Sequence, residues 1–331
     1  MMANTVSERL EWYRGYVPLF PYEFNPSDPK KVEQHCRQLA HFRQLAFKNP
    51  LHPGLAFDIT IAPRHEAVRT DSKFRLLPQF ALQGGDFQFV LKNAIQCEPE
   101  LGLSQIWVAE VRKKGSPEPE SSWGQVVLKL FQASLLRFPQ PTWQDPFSEY
   151  SCPRQLACVE ELVYNSLQDI QGWIVPYFYG KHRLTLPNGE STRVNVLEYI
   201  DGMTLAQLHD MYPTHMTTPL KPKLHHELLE KLKELYFPAM QGIFEIGARH
   251  IVLCDLNPEN IMIGPSLNQV VFIDFGHAFI NTPKEVVDSY RNSLKLATCV
   301  IGCCRRHRAD VTKWAKRCLS ADLQVPTSSP L

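Results

Sequence analysis

VLCDLNPENIMIGPSLNQVVFIDFGHAF, residues 252–279, is the stretch on which the reading of this chain turns. It sets Asp255, Asn260 and Asp274 among apolar runs that otherwise read as buried strand. Such polar groups are either turn residues satisfied by nearby backbone, or ligands of a hard cation that grips a phosphate. NIMIG and QVVFIDF read as two strands joined by a turn at Asn268-Gln269, which predicts a hairpin. A hairpin brings Asn260 and Asp274 to one end, and an amide oxygen beside a carboxylate suits Mg²⁺. Asp255, five residues before Asn260, then faces a substrate instead of the metal.

Around that stretch lie 331 residues, enough for one large domain or two moderate lobes. Hydrophobic residues make up 44% and charged residues 21%, which supports a packed core. A formal net charge of +1 argues against a dedicated nucleic-acid surface. No apolar run is long enough to span a bilayer. The first residues carry Glu8, Arg9, Glu11 and Arg14 and no apolar signal core. The expectation is an intracellular protein, cytoplasmic or nuclear, with neither nucleic acid nor membrane as partner. The nine cysteines are odd in number and form no paired CxxC, so zinc is not expected and free thiols are. Cys299, Cys303 and Cys304 cluster near Arg305 and Arg306.

Four segments are expected. Residues 1–75 read as an aromatic leader plus one helix, KKVEQHCRQLAHFRQLAF, with a stripe at Val32, Leu39, Phe42, Leu45 and Ala46. Pro29 marks its start. Residues 76–201 hold FQFVLKNAI, QIWVAEVRKK and QVVLKLF, an antiparallel meander interrupted by the polar loop 113–124. Pro153 then opens a helix, RQLACVEELVYNSLQ, ended by Gly172, and IVPYFYG and RVNVLEYI resume strand character. Residues 202–320 are mostly helical, with MTLAQLHDMY short and HELLEKLKELYFPAMQGIFEIGA long and containing Pro238. Residues 321–331 read as a tail. The order of elements predicts a two-lobed α+β fold with a boundary near 201–204, and a cleft between lobes is a common ligand site.

These residues resemble the protein-kinase-like phosphotransferase superfamily. CDLNPEN matches its catalytic loop and IDFG its metal-binding segment. The resemblance implies that Asp255 orients or deprotonates an attacking hydroxyl. It implies that Asn260 and Asp274 hold Mg²⁺ on the phosphates of ATP, with Gly276 allowing a tight turn after them. In VVLKLF, Lys129 corresponds to the lysine on the α- and β-phosphates. In VEELVYNSL, Glu160 corresponds to its ion-pair partner, with Glu161 as the alternative. VLEYIDG resembles the hinge, where the backbone of Glu198, Tyr199 and Ile200 meets the adenine edge. The phosphate-covering loop falls in NAIQCEPELGLSQIWVAEV, where Gly102 and Ser104 are the candidates. Resemblance is strongest to the short fungal protein-kinase-like proteins, through LQDIQGWIVPYFYG, and more distant to the aminoglycoside and choline phosphotransferases. It covers about residues 85–300.

The sequence departs from the family pattern in four places. Leu253 stands where a histidine usually braces the metal-binding segment. Asn257 stands where many members place a lysine, and His277 or Arg249 are the candidate replacement cations. The phosphate loop is poor in glycine. The short stretch after Asp274 has no Ala-Pro-Glu-like segment and leaves no room for a large peptide-binding platform. Two functions therefore stand as expectations. One is an ATP- and Mg²⁺-dependent phosphotransferase acting on a hydroxyl of a protein or small molecule. The other is a pseudokinase that serves as a scaffold.

Overall fold

A computed structural model describes residues 28–64, 72–98, 103–115, 122–138, 152–211, 222–264, 269–285 and 287. The aromatic leader, Gly102, the tip of the 113–124 loop, the three clustered cysteines, the tail and the helices expected beyond residue 287 lie outside the described residues. The chain divides into two compact units. One runs to Tyr199 and includes Phe275–Ala278; the other holds Ile200–Asp274 and the chain from Phe279.

The described part of the first unit begins with helix α1, Pro29–Lys48, and its cap. Asp28 caps it, its carboxylate accepting from Lys30 N at 3.0 Å, and Pro29 sits at the first turn where no amide partner is needed. Strands β1 (Ala56–Ile61), β2 (Gly85–Gln96), β3 (Gln105–Lys113), β4 (Ser122–Phe131), β5 (Phe178–Thr185) and β6 (Ser191–Glu198) form one sheet in the order β1-β2-β3-β4-β6-β5. Every neighbouring pair is antiparallel. The meander expected from the sequence is β2, β3 and β4. Strand β1 was not expected. Its six residues, AFDITI, alternate cleanly in burial, but they are bounded so closely by Gly54 and Pro63 that they read as loop.

Alternation along the strands divides the sheet into two faces. One face carries Val126, Leu128 and Leu130 of β4 with Val194 and Val196 of β6, all fully buried. They share a core with Phe57, Ile59 and Ile61 of β1 and with Phe80 of helix α2, Gln79–Gln83. The residues before β2 thus cover this face. The opposite face packs against helix α3, Pro153–Ser166, which buries Leu156, Ala157, Val159, Glu160 and Val163. Gly172, at φ 78°, follows a short 3₁₀ turn after α3, and a Cβ there would meet the Tyr177 ring at 2.1 Å.

The second unit holds strand β7 (Met203–Thr204) and helix α4 (Leu205–Asp210), joined by a capping box between Thr204 and Gln207. Helix α5, Pro222–Ala248, runs through Pro238. Strands β8 (Ile261–Ile263) and β9 (Val270–Phe272) complete a small sheet in the order β7-β8-β9. Glycines set two close approaches. A Cβ on Gly202 would meet Ile263 O at 2.1 Å, and one on Gly242 would meet the Phe272 ring at 2.4 Å. Among the described residues no helix is long and apolar enough to cross a membrane.

Candidate active-site residues

In the first unit the site is built on one row across the sheet. Lys129 of β4 lies opposite Asn195 of β6, which lies opposite Lys181 of β5. All three project from the face that α3 covers. Lys129 Nζ donates to Glu160 Oε1 at 2.9 Å, and the two side chains are 5% and 0% exposed. Glu161, the alternative partner, instead pairs with Lys181. Burial works against the charged Lys181, but its bonds to Glu161 and to Cys158 Sγ outweigh it and hold its pKa above the usual lysine range.

A carboxylate with no solvent contact needs a donor for each lone-pair direction it keeps. Glu160 has three. Besides Lys129, the backbone N–H of Phe275 donates to Oε1 at 3.3 Å and Asn195 Nδ2 donates to Oε2 at 2.9 Å. Sequence reasoning missed Asn195. The available signal was one amide interrupting an apolar strand, V-N-V-L, in a position with both faces covered. One residue pair further along, Val127 of β4 lies opposite both Val108 of β3 and Leu197 of β6. This apolar row runs beside the lysine row and suits the face of a flat ring.

At the end of β6 one backbone group of the expected hinge is already engaged. The backbone N–H of Glu198 donates to Tyr177 O at 2.8 Å, so it is not available to an adenine edge. The Glu198 carboxylate is also engaged. Arg75 grips it in a two-point fork, Nε to Oε1 at 2.7 Å and Nη2 to Oε2 at 2.8 Å, and Tyr177 N donates to Oε2 at 2.9 Å. Tyr199 ends the first unit and Ile200 begins the second, Ile200 buried. Ser104, directly before β3, is buried at 7% exposure.

In the second unit Asp255 lies in the loop before a 3₁₀ turn, Pro258–Asn260. Asn257 caps that turn, its Oδ1 accepting from Glu259 N at 2.9 Å and Asn260 N at 3.1 Å, while its Nδ2 donates to Asp255 Oδ1 at 3.0 Å. Asn260 Nδ2 donates to Asp255 O at 2.9 Å and to Asp255 Oδ2 at 3.2 Å. Both Asp255 oxygens are thus aimed by amides. Because the Asn260 amide nitrogen is committed to Asp255, its Oδ1 is turned the other way. No hydrogen bond engages that oxygen among the described residues.

Asn260 and Asp274 flank the open end of the β8–β9 hairpin. Ile261 pairs with Phe272, and Ile273 N donates to Asn260 O at 3.0 Å. Asp274 itself takes the left-handed backbone at φ 62°. The turn expected at Gly276 follows it, closed by Ala278 N donating to Phe275 O at 3.0 Å. Left-handed backbone is uncommon outside glycine, and aspartate is among the residues that adopt it more readily. Around Leu253 the described residues are tied by backbone bonds. Val252 and Phe279 exchange two bonds of 3.0 Å, and Thr282 N donates to His250 O at 3.0 Å. Arg249, a candidate replacement cation, is held by Glu245 one turn back, with Nη1 to Oε2 at 3.1 Å.

Among the described residues no three His, Cys, Asp or Glu side chains gather as a metal cluster. Asn260 and Asp274 would be a two-ligand set of the kind that Mg²⁺ shares with phosphates and water. The five described cysteines are free thiols.

No protein-family model matches the chain, and no curated protein matches it. Among solved structures it is similar to the PknI kinase domain of Mycobacterium tuberculosis, at 13% identity and a TM-score of 0.37 over 64% of this chain and 72% of that one.

Proposed function

We propose that the chain is a protein-kinase-like phosphotransferase that moves the γ-phosphate of ATP to a hydroxyl acceptor with Mg²⁺. The observation that carries this reading is the orientation of Asn260. Its amide nitrogen aims Asp255, and its oxygen is left for a cation at the hairpin end shared with Asp274. That couples the carboxylate suited to accept a hydroxyl proton with the group suited to hold a metal. When bound, Mg²⁺ would supply charge neutralisation on the phosphate oxygens.

The other residues take consistent roles. Lys129, aimed by Glu160, binds α- and β-phosphate oxygens, and the row Val108, Val127 and Leu197 receives the adenine face. Adenine edge contacts fall to Tyr199 and Ile200, since the Glu198 N–H is used within the fold. Asp255 accepts the proton of the attacking hydroxyl, which lowers the barrier only if that hydroxyl is held in line.

One observation favours a second reading, a pseudokinase that binds nucleotide without turnover. Asn257 contributes no positive charge at the transferring phosphate, and Arg249 is occupied by Glu245. The test is to incubate the protein with Mg²⁺ and ATP labelled at the γ-position and follow label transfer and ADP release. Steady transfer to protein or to a small hydroxyl compound sustains the first reading. Saturable nucleotide binding with no ADP release would replace it with the second.

A further inference from the structure

Asn195 sits at a costly place. It is fully buried in a central strand, and its Oδ1 has no hydrogen-bond partner among the described residues. An unpaired buried carbonyl destabilises the fold, and Asn is a poor strand residue. Valine, which flanks it on both sides, would serve the strand better. What the amide gives in return is its Nδ2, which donates to Glu160 Oε2 at 2.9 Å and more weakly to Ala157 O at 3.4 Å. The orientation is fixed by chemistry, because turning the amide would set its oxygen against a carboxylate oxygen.

We infer that Asn195 is the positioning residue of the Lys129–Glu160 pair, pinning one carboxylate oxygen so that the other is presented to Lys129. Two neutral donors hold the carboxylate, one on each oxygen: Asn195 from the sheet, and the Phe275 N–H on the oxygen shared with Lys129. Without Asn195 the carboxylate can rotate about its last bond, and Lys129 loses its fixed aim. The neighbouring Lys181–Glu161 pair lies in the same row but takes no hydrogen bond from Asn195, so it is an internal control. Where the inference touches nucleotide, it rests on the phosphotransferase reading.

The experiment compares wild type with Asn195→Val. Lysine acetylation of the whole protein, followed by peptide mass, reports the hold on each amine without any ligand. Losing a bond to a charged group should raise the rate at Lys129 about tenfold and leave Lys181 unchanged. Binding is measured in parallel with Mg²⁺·ATP and with adenosine. The variant should lose about tenfold in affinity for ATP and keep its affinity for adenosine, because only ATP meets Lys129.

Asn195→Asp, nearly isosteric, guards against a misfolded variant. Protonated at low pH, the new carboxyl can still donate to Glu160; as pH rises it ionises and repels it. ATP affinity and Lys129 protection should therefore be near wild type in acid and fall with rising pH, a profile that a packing role alone would not produce. If wild type binds neither ATP nor adenosine while Lys129 still responds to Asn195, the positioning role stands and the phosphotransferase reading falls. Equal change at Lys129 and Lys181, or none at either, overturns the inference.

Discussion

The backbone N–H of Phe275 donates to the Glu160 carboxylate at 3.3 Å, joining residues 115 positions apart. The Phe275 ring also meets Tyr164 of α3 edge-on, with centroids 5.0 Å apart. Phe275 follows Asp274 directly, so the segment that would hold the metal begins where the lysine's partner ends.

The first prediction concerns that carboxylate. Lys129→Met removes its only cation among the described residues and leaves Glu160 buried with neutral donors. Breaking a buried pair from one side costs about 3–5 kcal/mol. Urea unfolding should show a loss of that size. Adding Glu160→Gln to Lys129→Met should recover part of it, since an uncharged amide tolerates the same burial. A double variant as unstable as the single one would argue that packing, and not charge, dominates there.

Asp255→Asn should separate binding from chemistry. The side chain keeps its size and Asn260 Nδ2 keeps its 2.9 Å bond to the backbone carbonyl of residue 255, so Mg²⁺·ATP affinity should change little. Transfer should drop by a factor of about 10²–10⁴, the range for losing a general base. Calorimetry and a γ-phosphate transfer assay on the same preparation check both halves. Undiminished transfer would remove Asp255 from the mechanism.

Metal dependence tests the hairpin end. Thermal unfolding with ATP should shift upward only when Mg²⁺ is present, and a ligand at ~100 times its dissociation constant adds about 2.7 kcal/mol. Asp274→Ala should abolish the shift. A shift that survives in Asp274→Ala would place the nucleotide's metal elsewhere.

His182 supplies a pH signature in the sheet. Burial lowers its pKa below 6.5, against the opposing pull of the Tyr179 carbonyl and of Glu161. The unfolded chain then binds the proton more readily than the folded one. Stability from this group is full above about pH 6.5 and is lost as pH falls towards the folded value. Melting temperatures taken at acidic and neutral pH should differ less in His182→Gln than in wild type.

Much of the scaffold was legible because it rests on local pattern. The strands of the meander alternate, and α1 and α3 announce themselves with a proline at the first turn. The roles expected of Lys129, Glu160, Asp255, Asn260 and Asp274 came from the resemblance of their motifs; of these residues, the structure brings Lys129 to Glu160 and Asn260 to Asp255. What escaped was non-local or doubly used. Asn195 meets Glu160 35 positions away, and Arg75 meets Glu198 123 positions away. No spacing in the chain advertises either pair. Asn257 read as a missing cation, whereas its cap on the turn before Asn260 needs the packed loop to be seen. Glu198 was read for its backbone, and the fold had already spent that amide on Tyr177.

The Arg75 fork has a practical corollary for anyone trimming this protein to the segment from β2 onward. A clone starting at Gly85 would discard Arg75 along with β1 and Phe80. Glu198 would then lose its guanidinium, just before the chain crosses from one unit to the next, and a row of valines and leucines would face water. Such a fragment should come out of cells as aggregate, while one starting at Asp28 should stay in solution. Arg75, β1 and Phe80 are wall, not doorway.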